Sequence, residues 1–367
     1  MNSESNANSC CGNSDYDNAD CAGVSCAGVS YSTCAKHGNY RDLTLIDEDL
    51  SGDIDSAVRN EVIDFRKRCA QYDIDNRVFK LRDDVERECD LVYLPGGNPM
   101  HTYDVCWPKS AKKGEKLPVI VEMHGGSFTF GSKEVNRCYA SELASGGLVV
   151  VSLNYRLMPS VNLAEQISDV TAALKHFSSK IDNFPADPNK IFLAGDSAGA
   201  TLALYAGLIE NNDEMARDFV IDPAGIRVRG FVLVSGFFDM SSFFPADPIN
   251  DSCKHDLLKI MNICEKYFFE PASRKAVPRW SSLAALAENN HFPPLFIATC
   301  SDDFLRADSI RLAAAAIGQG ADVELVDEYA LPGHPLGHGF ALTNPFEPQS
   351  LSTIDRIVSF VKRTGSR

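Results

Sequence analysis

Hydrophobic and polar positions divide this chain into stretches of different period. Residues 1 to about 40 are rich in Asn, Ser, Asp, Gly and Cys and hold two valines but no Leu, Ile, Phe or Trp. Such a stretch cannot bury enough apolar surface to offset its ordering entropy, so a disordered tail is expected. Between residues 41 and 88, apolar residues recur at helical spacing (Ile54, Val58, Val62, Ile63, Phe65) among many charges, and a helical region is expected throughout. Runs at 89–94 and 102–107 flank a Pro-Gly-Gly-Asn-Pro turn and predict a β-hairpin. From Pro118 onward the rhythm changes. Short, largely apolar runs at 119–123, 148–153, 191–194, 230–235, 294–299 and 323–326 alternate with helical segments near 134–145, 162–179, 198–210, 306–318 and 350–363. Strands of that kind separated by helices predict an α/β fold, with a mostly parallel central sheet covered by helices on both faces.

One interval departs from the alternation. Residues 237–290 carry a cluster of phenylalanines and then a mixed helical run, with no strand period. This reads as an insertion over the C-terminal edge of the sheet, where ligands bind in such folds. Its aromatics suit either a pocket lining or a small core of their own. The domain organisation expected is therefore a tail over 1–40 and one α/β domain over 41–367.

Composition narrows the partners. With 367 residues, 44% of them apolar, the chain can build a large core, and its formal charge of −15 argues against nucleic acid or an anionic membrane surface as partner. No run of about 18 apolar residues is present, so no membrane insertion is expected. The first residues lack the basic and apolar regions of a secretory leader, which points to the cytoplasm and to reduced thiols. Twelve cysteines are many, and five lie in the first 34 residues (Cys10, Cys11, Cys21, Cys26, Cys34), beside a short duplication at 21–25 and 26–30. They form no C-x-x-C pair and have only His37 nearby, so no metal site is expected.

The chemistry centres on Gly195, Asp196, Ser197, Ala198 and Gly199, a G-x-S-x-G between an apolar strand and a small-residue helix. To expose a serine hydroxyl at the top of a sheet, the chain must turn sharply on the serine, and glycines fit where a Cβ would clash. An activated serine also needs oxyanion donors, a base and a group that orients the base. Donors are offered by the loop His124, Gly125, Gly126, Ser127 after the strand at 119–123, together with the N–H of Ala198. Acids Asp302 and Asp303 end the strand at 294–299. Histidines His334 and His338 sit in the glycine-rich loop after the strand at 323–326. Each feature alone has an ordinary explanation, since strand-end aspartates cap helices and loop histidines are often solvated. Their order, serine then acid then histidine, all at strand ends, is that of a serine hydrolase.

With these residues the sequence resembles the hormone-sensitive-lipase-like branch of the α/β-hydrolases. The motifs are His-Gly-Gly at 124–126, Asn-Tyr-Arg-Leu-Met-Pro at 154–159, Gly-Asp-Ser-Ala-Gly at 195–199, Asp-Phe-Leu-Arg-Ala-Asp at 303–308 and His-Gly-Phe at 338–340. The resemblance implies Ser197 as nucleophile, Asp303 rather than Asp302 as acid, and His338 rather than His334 as base. It implies an oxyanion hole from Gly125, Gly126, Ser127 and Ala198, and a cap built from about 41–88 and 237–290. Ser127 stands where the family usually has a third glycine, Phe304 replaces its usual proline, and Ala200 follows Gly199 in place of glycine. The implied activity is hydrolysis of short- to medium-chain carboxylic esters through an acyl-enzyme, with a small-molecule ester as partner and no metal or organic cofactor. Amide hydrolysis or deacetylation uses the same triad, and a catalytically silent ligand-binding protein is the reading from another class. Oligomeric state is left open, a homodimer included.

Overall fold

A computed structural model describes residues 31–33, 49–77, 80–243, 259–260, 263–264, 267 and 277–366. Most of the expected tail, and 244–258 with most of 261–276, lie outside the described residues. The apolar runs become one eight-stranded sheet. Its strands are β3 (Val85–Val92), β4 (Thr102–Pro108), β5 (Leu117–Met123), β6 (Val149–Leu153), β7 (Ala186–Asp196), β8 (Val228–Val234), β9 (Leu295–Cys300) and β10 (Val323–Glu328). The order across the sheet is β3-β4-β6-β5-β7-β8-β9-β10. The β3/β4 and β4/β6 pairs are antiparallel and the remaining pairs parallel. A separate antiparallel pair joins β1 (Tyr31–Thr33) and β2 (Lys80–Arg82).

Helices cover both faces because the strands are apolar on both. In β5, Val119, Val121 and Met123 enter one core while Ile120 enters the other. In β7, Ile191 and Leu193 part from Phe192 and Ala194 in the same way. The first core takes residues of α1 (Ser56–Asn76), α3 (Leu163–Lys180), α4 (Ala198–Ile209) and α8 (Arg306–Gly318). The second takes α2 (Arg137–Ser145) and α10 (Pro348–Gly365). Local signals fix the ends. Asp55 caps α1 by accepting from the N–H groups of Ala57 and Val58. Asn162 and Glu165 form a reciprocal capping box on α3. The short helices are α5 (Asp213–Phe219), α6 (Val277–Trp280), α7 (Leu283–Asn289) and α9 (Phe340–Thr343). Among the described residues no helix is long and apolar enough to cross a membrane.

The expectation of helix throughout 41–88 is corrected here. In the described part only Ser56–Asn76 is α-helical, 49–51 form a 3-10 turn, and 80–82 and 85–92 are strands. β3 is the edge of the sheet, so Glu86 and Glu88 face solvent while Val85 is buried. On a sheet edge, solvent-facing charges interrupt the apolar run that identifies an inner strand, and the stretch imitates a helix surface. A register shift between Glu88 and Leu91, with Asp90 at φ 59°, blurs the period further.

Candidate active site

Strand β7 delivers Ser197 and α4 begins on the next residue. Ser197 holds φ 52° and ψ −121°, a conformation that side chains rarely adopt and that costs on the order of 1–3 kcal/mol. The turn is secured by the Ser197 N–H donating to the Val234 carbonyl at 2.9 Å and by the wholly buried α4. The flanking glycines are obligatory. A Cβ on Gly195 would collide with the backbone of Gly199, and one on Gly199 with the Met123 carbonyl. Gly199→Ala is therefore expected to lower stability by about 3 kcal/mol or more, because the obstacle is backbone that cannot swing aside. A thermal melt followed by circular dichroism reads this as a large fall in Tm.

The loop after β5 turns back beneath the serine. Gly126 (φ 117°), Ser127 (φ 54°) and Phe128 (φ 62°) all lie in the left-handed region. A Cβ at Gly126 would strike the Phe130 carbonyl, whereas Ser127 accommodates its side chain at this φ. Among the described residues the N–H groups of Gly126, Ser127 and Ala198 have no acceptor. Ala198 begins α4, and an unspent N–H at a helix N-terminus favours a developing negative charge. Gly125 is different, and its expected role as a donor is corrected. Its N–H is already given to Asp196 Oδ1 at 2.9 Å. Gly125 must be glycine for another reason, since a Cβ there would collide with the Asp196 carboxylate.

The loop is held from several sides. His124 stacks on Tyr155 at 4.3 Å, and the Tyr155 hydroxyl donates to the His124 carbonyl at 2.6 Å. Burial keeps the His124 pKa below its ordinary value. Gln166 donates to the carbonyls of Phe128 (2.8 Å) and Arg156 (2.9 Å). Arg156 makes a two-pronged pair with the buried Asp169, both contacts at 2.8 Å. This explains the Tyr-Arg-Leu motif as a buttress. From α1, Arg66 donates to the carbonyls of Thr129 (2.7 Å) and Met158 (3.3 Å) while paired with Asp49.

The structure separates the two acids and the two histidines. Asp303 Oδ1 lies 2.8 Å from His338 Nδ1, and the Asp303 side chain is fully buried. Asp303 also accepts from the Leu305 N–H (2.9 Å) and the Thr299 hydroxyl (3.1 Å). Burial raises the Asp303 pKa, but the His338 charge and hydrogen bond, aided by Ser235 and Leu305, outweigh it and hold the carboxyl below its usual range. Burial pulls His338 down, but Asp303 and then Asp196 outweigh it and leave the imidazole above its ordinary value. Phe304 packs on the His338 ring at 4.3 Å. The Gly339 N–H donates to Ser235 Oγ at 3.1 Å, anchoring the histidine loop beside β8. Asp302 is exposed and props the same loop by accepting from the N–H groups of Leu336 and Gly337. His334 is exposed in a turn closed on Leu331. A Cβ on Gly339 would come within 4.0 Å of Asp196 Oδ2, so the His338 loop and the serine turn meet.

Several contributors escaped the sequence reading. Ser235, Thr299, Gln166 and Arg66 carry no motif; a lone polar residue closing an apolar run is the only hint that Ser235 and Thr299 leave, and Gln166 on α3 and Arg66 on α1 leave none. Ser235 is one such, fully buried at the end of β8's run.

A family model described as the alpha/beta hydrolase fold matches residues 120–341. Carboxylesterase NlhH of Mycobacterium tuberculosis is 27% identical over 263 residues, 71% of this chain and 77% of that protein. A 2-hydroxyisoflavanone dehydratase of Glycyrrhiza echinata is 27% identical over 285 residues, 72% of this chain and 82% of its own. Among solved structures, esterase B from Lactobacillus Rhamnosis is similar with a TM-score of 0.75 at 22% identity, over 84% of this chain and 96% of that one. The matched stretch takes in the glycine loop, the serine turn, the buried Asp303 and the histidine loop, and on that evidence the chain belongs to the alpha/beta-hydrolase fold family, in its hormone-sensitive-lipase-like branch.

Proposed function

We propose that this carboxylic ester hydrolase cleaves short- to medium-chain esters through an acyl-enzyme on Ser197. The observation that carries the reading is the 2.8 Å contact of the buried Asp303 with His338, on a loop that meets the strained serine turn. With Nδ1 committed to Asp303, His338 presents Nε2 to the serine hydroxyl. Ser197 Oγ attacks the ester carbonyl as Nε2 takes its proton. The N–H groups of Gly126, Ser127 and Ala198 receive the oxyanion. Asp303 steadies the imidazolium without taking its proton. His338 then protonates the leaving alkoxide, draws a proton from water for deacylation, and returns it to Ser197 as the acid departs.

A cap over this site is part of the proposal. It is supported by the core on one face of the sheet, to which Val62 and Phe65 of α1 and Phe237, Phe238, Ile260 and Trp280 of the insertion all belong. Polar links tie α1 to the same insertion: Lys259 pairs with Glu61 at 3.1 Å, and the Asp55 N–H donates to the Tyr267 hydroxyl at 3.0 Å. The preference for short to medium acyl groups is inferred from the family resemblance and the cap it implies. A cytoplasmic setting is supported by the thiols of Cys89, Cys106, Cys264 and Cys300, which form no disulfide.

Initial rates on p-nitrophenyl esters from acetate to palmitate test the reading. Turnover is expected to peak among the short acyl chains and to vanish toward palmitate. A maximum at palmitate would overturn the size reading. Absence of both turnover and fluorophosphonate labelling would overturn the hydrolase itself.

A further inference from the structure

Glu122 stands in the middle of the sheet, two residues before the glycine loop, and is 1% exposed. No part of the mechanism above uses it. A carboxyl there would be costly unless its oxygens were satisfied, and both are. Oε1 accepts from Asn136 Nδ2 at 2.8 Å and Oε2 lies 3.0 Å from the Ser152 hydroxyl. The same Asn136 nitrogen gives a hydrogen bond to Asp196 Oδ1 at 2.9 Å. Asp196 Oδ1 in turn takes the Gly125 N–H. A continuous chain of hydrogen bonds therefore runs from β5 through the residue before α2 to the residue before the serine, and from there into the glycine loop.

We propose that Glu122 is a positioning residue, which acts through Asn136 and Asp196 to keep the Ser197 turn in register with the oxyanion donors. This rests on the esterase reading above. The two carboxylates lean on one amide group, so the arrangement is most comfortable when only one is charged. Asp196 reaches the edge of the site, while Glu122 is sealed in. Burial, with the Asp196 charge adding to it against the hydrogen bonds of Asn136 and Ser152, raises the Glu122 pKa to about 8. The neutral acid, protonated on Oε2, donates a hydrogen bond to the Ser152 oxygen and keeps Oε1 as acceptor for Asn136. The titratable groups around it are Asp196 on β7, Asp104 and Cys106 on β4 and Tyr139 on α2. Burial lifts Cys106 to about 12 and pushes Tyr139 well up, so neither ionises before Glu122 does. Ionising Glu122 places a second negative charge behind the oxyanion hole, where it opposes the charge that develops in the transition state.

The test compares steady-state kinetics of the full chain, from pH 6 to 10, for the parent, E122Q, E122L, N136A and the E122L/N136A double variant. Glutamine reproduces the neutral acid bond for bond, with Nε2 donating to Ser152 and Oε1 accepting from Asn136. E122Q is expected to keep the parent's kcat near pH 6.5 and to lose its fall near pH 8. N136A and E122L are each expected to lose about 10²-fold in kcat, the scale of a small misplacement of reacting groups. KM should stay within about twofold, because the donors act on the transition state. The double variant should be no worse than N136A alone, since both act through one chain of bonds. If E122L does not fold, E122Q and N136A still decide the matter. An unchanged kcat in N136A, additive losses in the double variant, or the same alkaline limb in E122Q as in the parent would each overturn the assignment. Those outcomes presuppose an active parent, so they are distinct from failure of the esterase reading, which shows as a parent without turnover or labelling.

Discussion

Ser197→Ala is expected to abolish ester turnover and fluorophosphonate labelling together, with kcat falling about 10⁶-fold. The size follows from the loss of the attacking atom, which no neighbour replaces. A residual rate about 10³–10⁴-fold above that in water should survive, because the N–H groups of Gly126, Ser127 and Ala198 still bind the oxyanion of a direct attack by water. The variant should fold. Alanine and serine carry the same Cβ at φ 52°, and the turn is held by backbone bonds, from the Ser197 N–H to Val234 and from the Thr201 N–H to the Ser197 carbonyl. A melt that superposes on the parent's, beside dead kinetics, assigns the loss to chemistry. Turnover that persisted in the variant would move the nucleophile elsewhere.

The second large effect is expected at Asp303. Asp303→Asn keeps the shape of the carboxylate but turns an N–H or a neutral oxygen toward His338 Nδ1, so the tautomer that leaves Nε2 free to accept a proton is no longer enforced. A loss of about 10⁴-fold in kcat is expected. The pH profile carries an independent signature. In the parent, Asp303 is the principal group that outweighs burial and raises the His338 pKa. The limb on which the imidazole becomes a base should therefore rise above the ordinary imidazole range. Removing the charge withdraws support from the imidazolium, so the residual limb should move to lower pH. Asp302→Asn is the comparison. Asp302 is exposed and serves the N–H groups of Leu336 and Gly337, and an amide oxygen can still accept from them. A loss at Asp302 equal to that at Asp303 would reassign the acid.

How much of this was written in the sequence depends on whether the physics is local. The inner strands were legible because burial on both faces demands apolar residues without interruption, and the described spans differ from the expected ones mainly at their ends. The edge strand was legible only in its second half, within the hairpin expected at 89–94 and 102–107; in its first half Glu86 and Glu88 face water and look like a helix surface. The serine turn was legible because its glycines answer to collisions a few residues away. Gly125 was misjudged because its N–H goes to Asp196, 71 residues further on. Asn136 and Glu122 are invisible for the same reason: an Asn before a helix and a Glu in a strand acquire meaning only when the sheet brings them to Asp196. The choice between Asp302 and Asp303 needed family resemblance in the sequence. In the structure it becomes a matter of burial, since only one of the two neighbours points inward.

Arg66 has a bearing on what happens when the front of the chain is shortened. Its guanidinium reaches from α1 to the carbonyl of Thr129, next to the turn that carries the proposed oxyanion donors, and to that of Met158, whose own N–H donates to Phe128. The same helix is fastened to Lys259 and Tyr267 of the insertion. A protein trimmed back to the sheet would therefore lose more than a cover. Two carbonyls would be left without their donor, and the left-handed turn from Gly126 to Phe128 would lose the clamp that holds it taut. In the proposed cap the helix is a tension member as well as a roof, and a ligand that lifted the roof would pull on the floor.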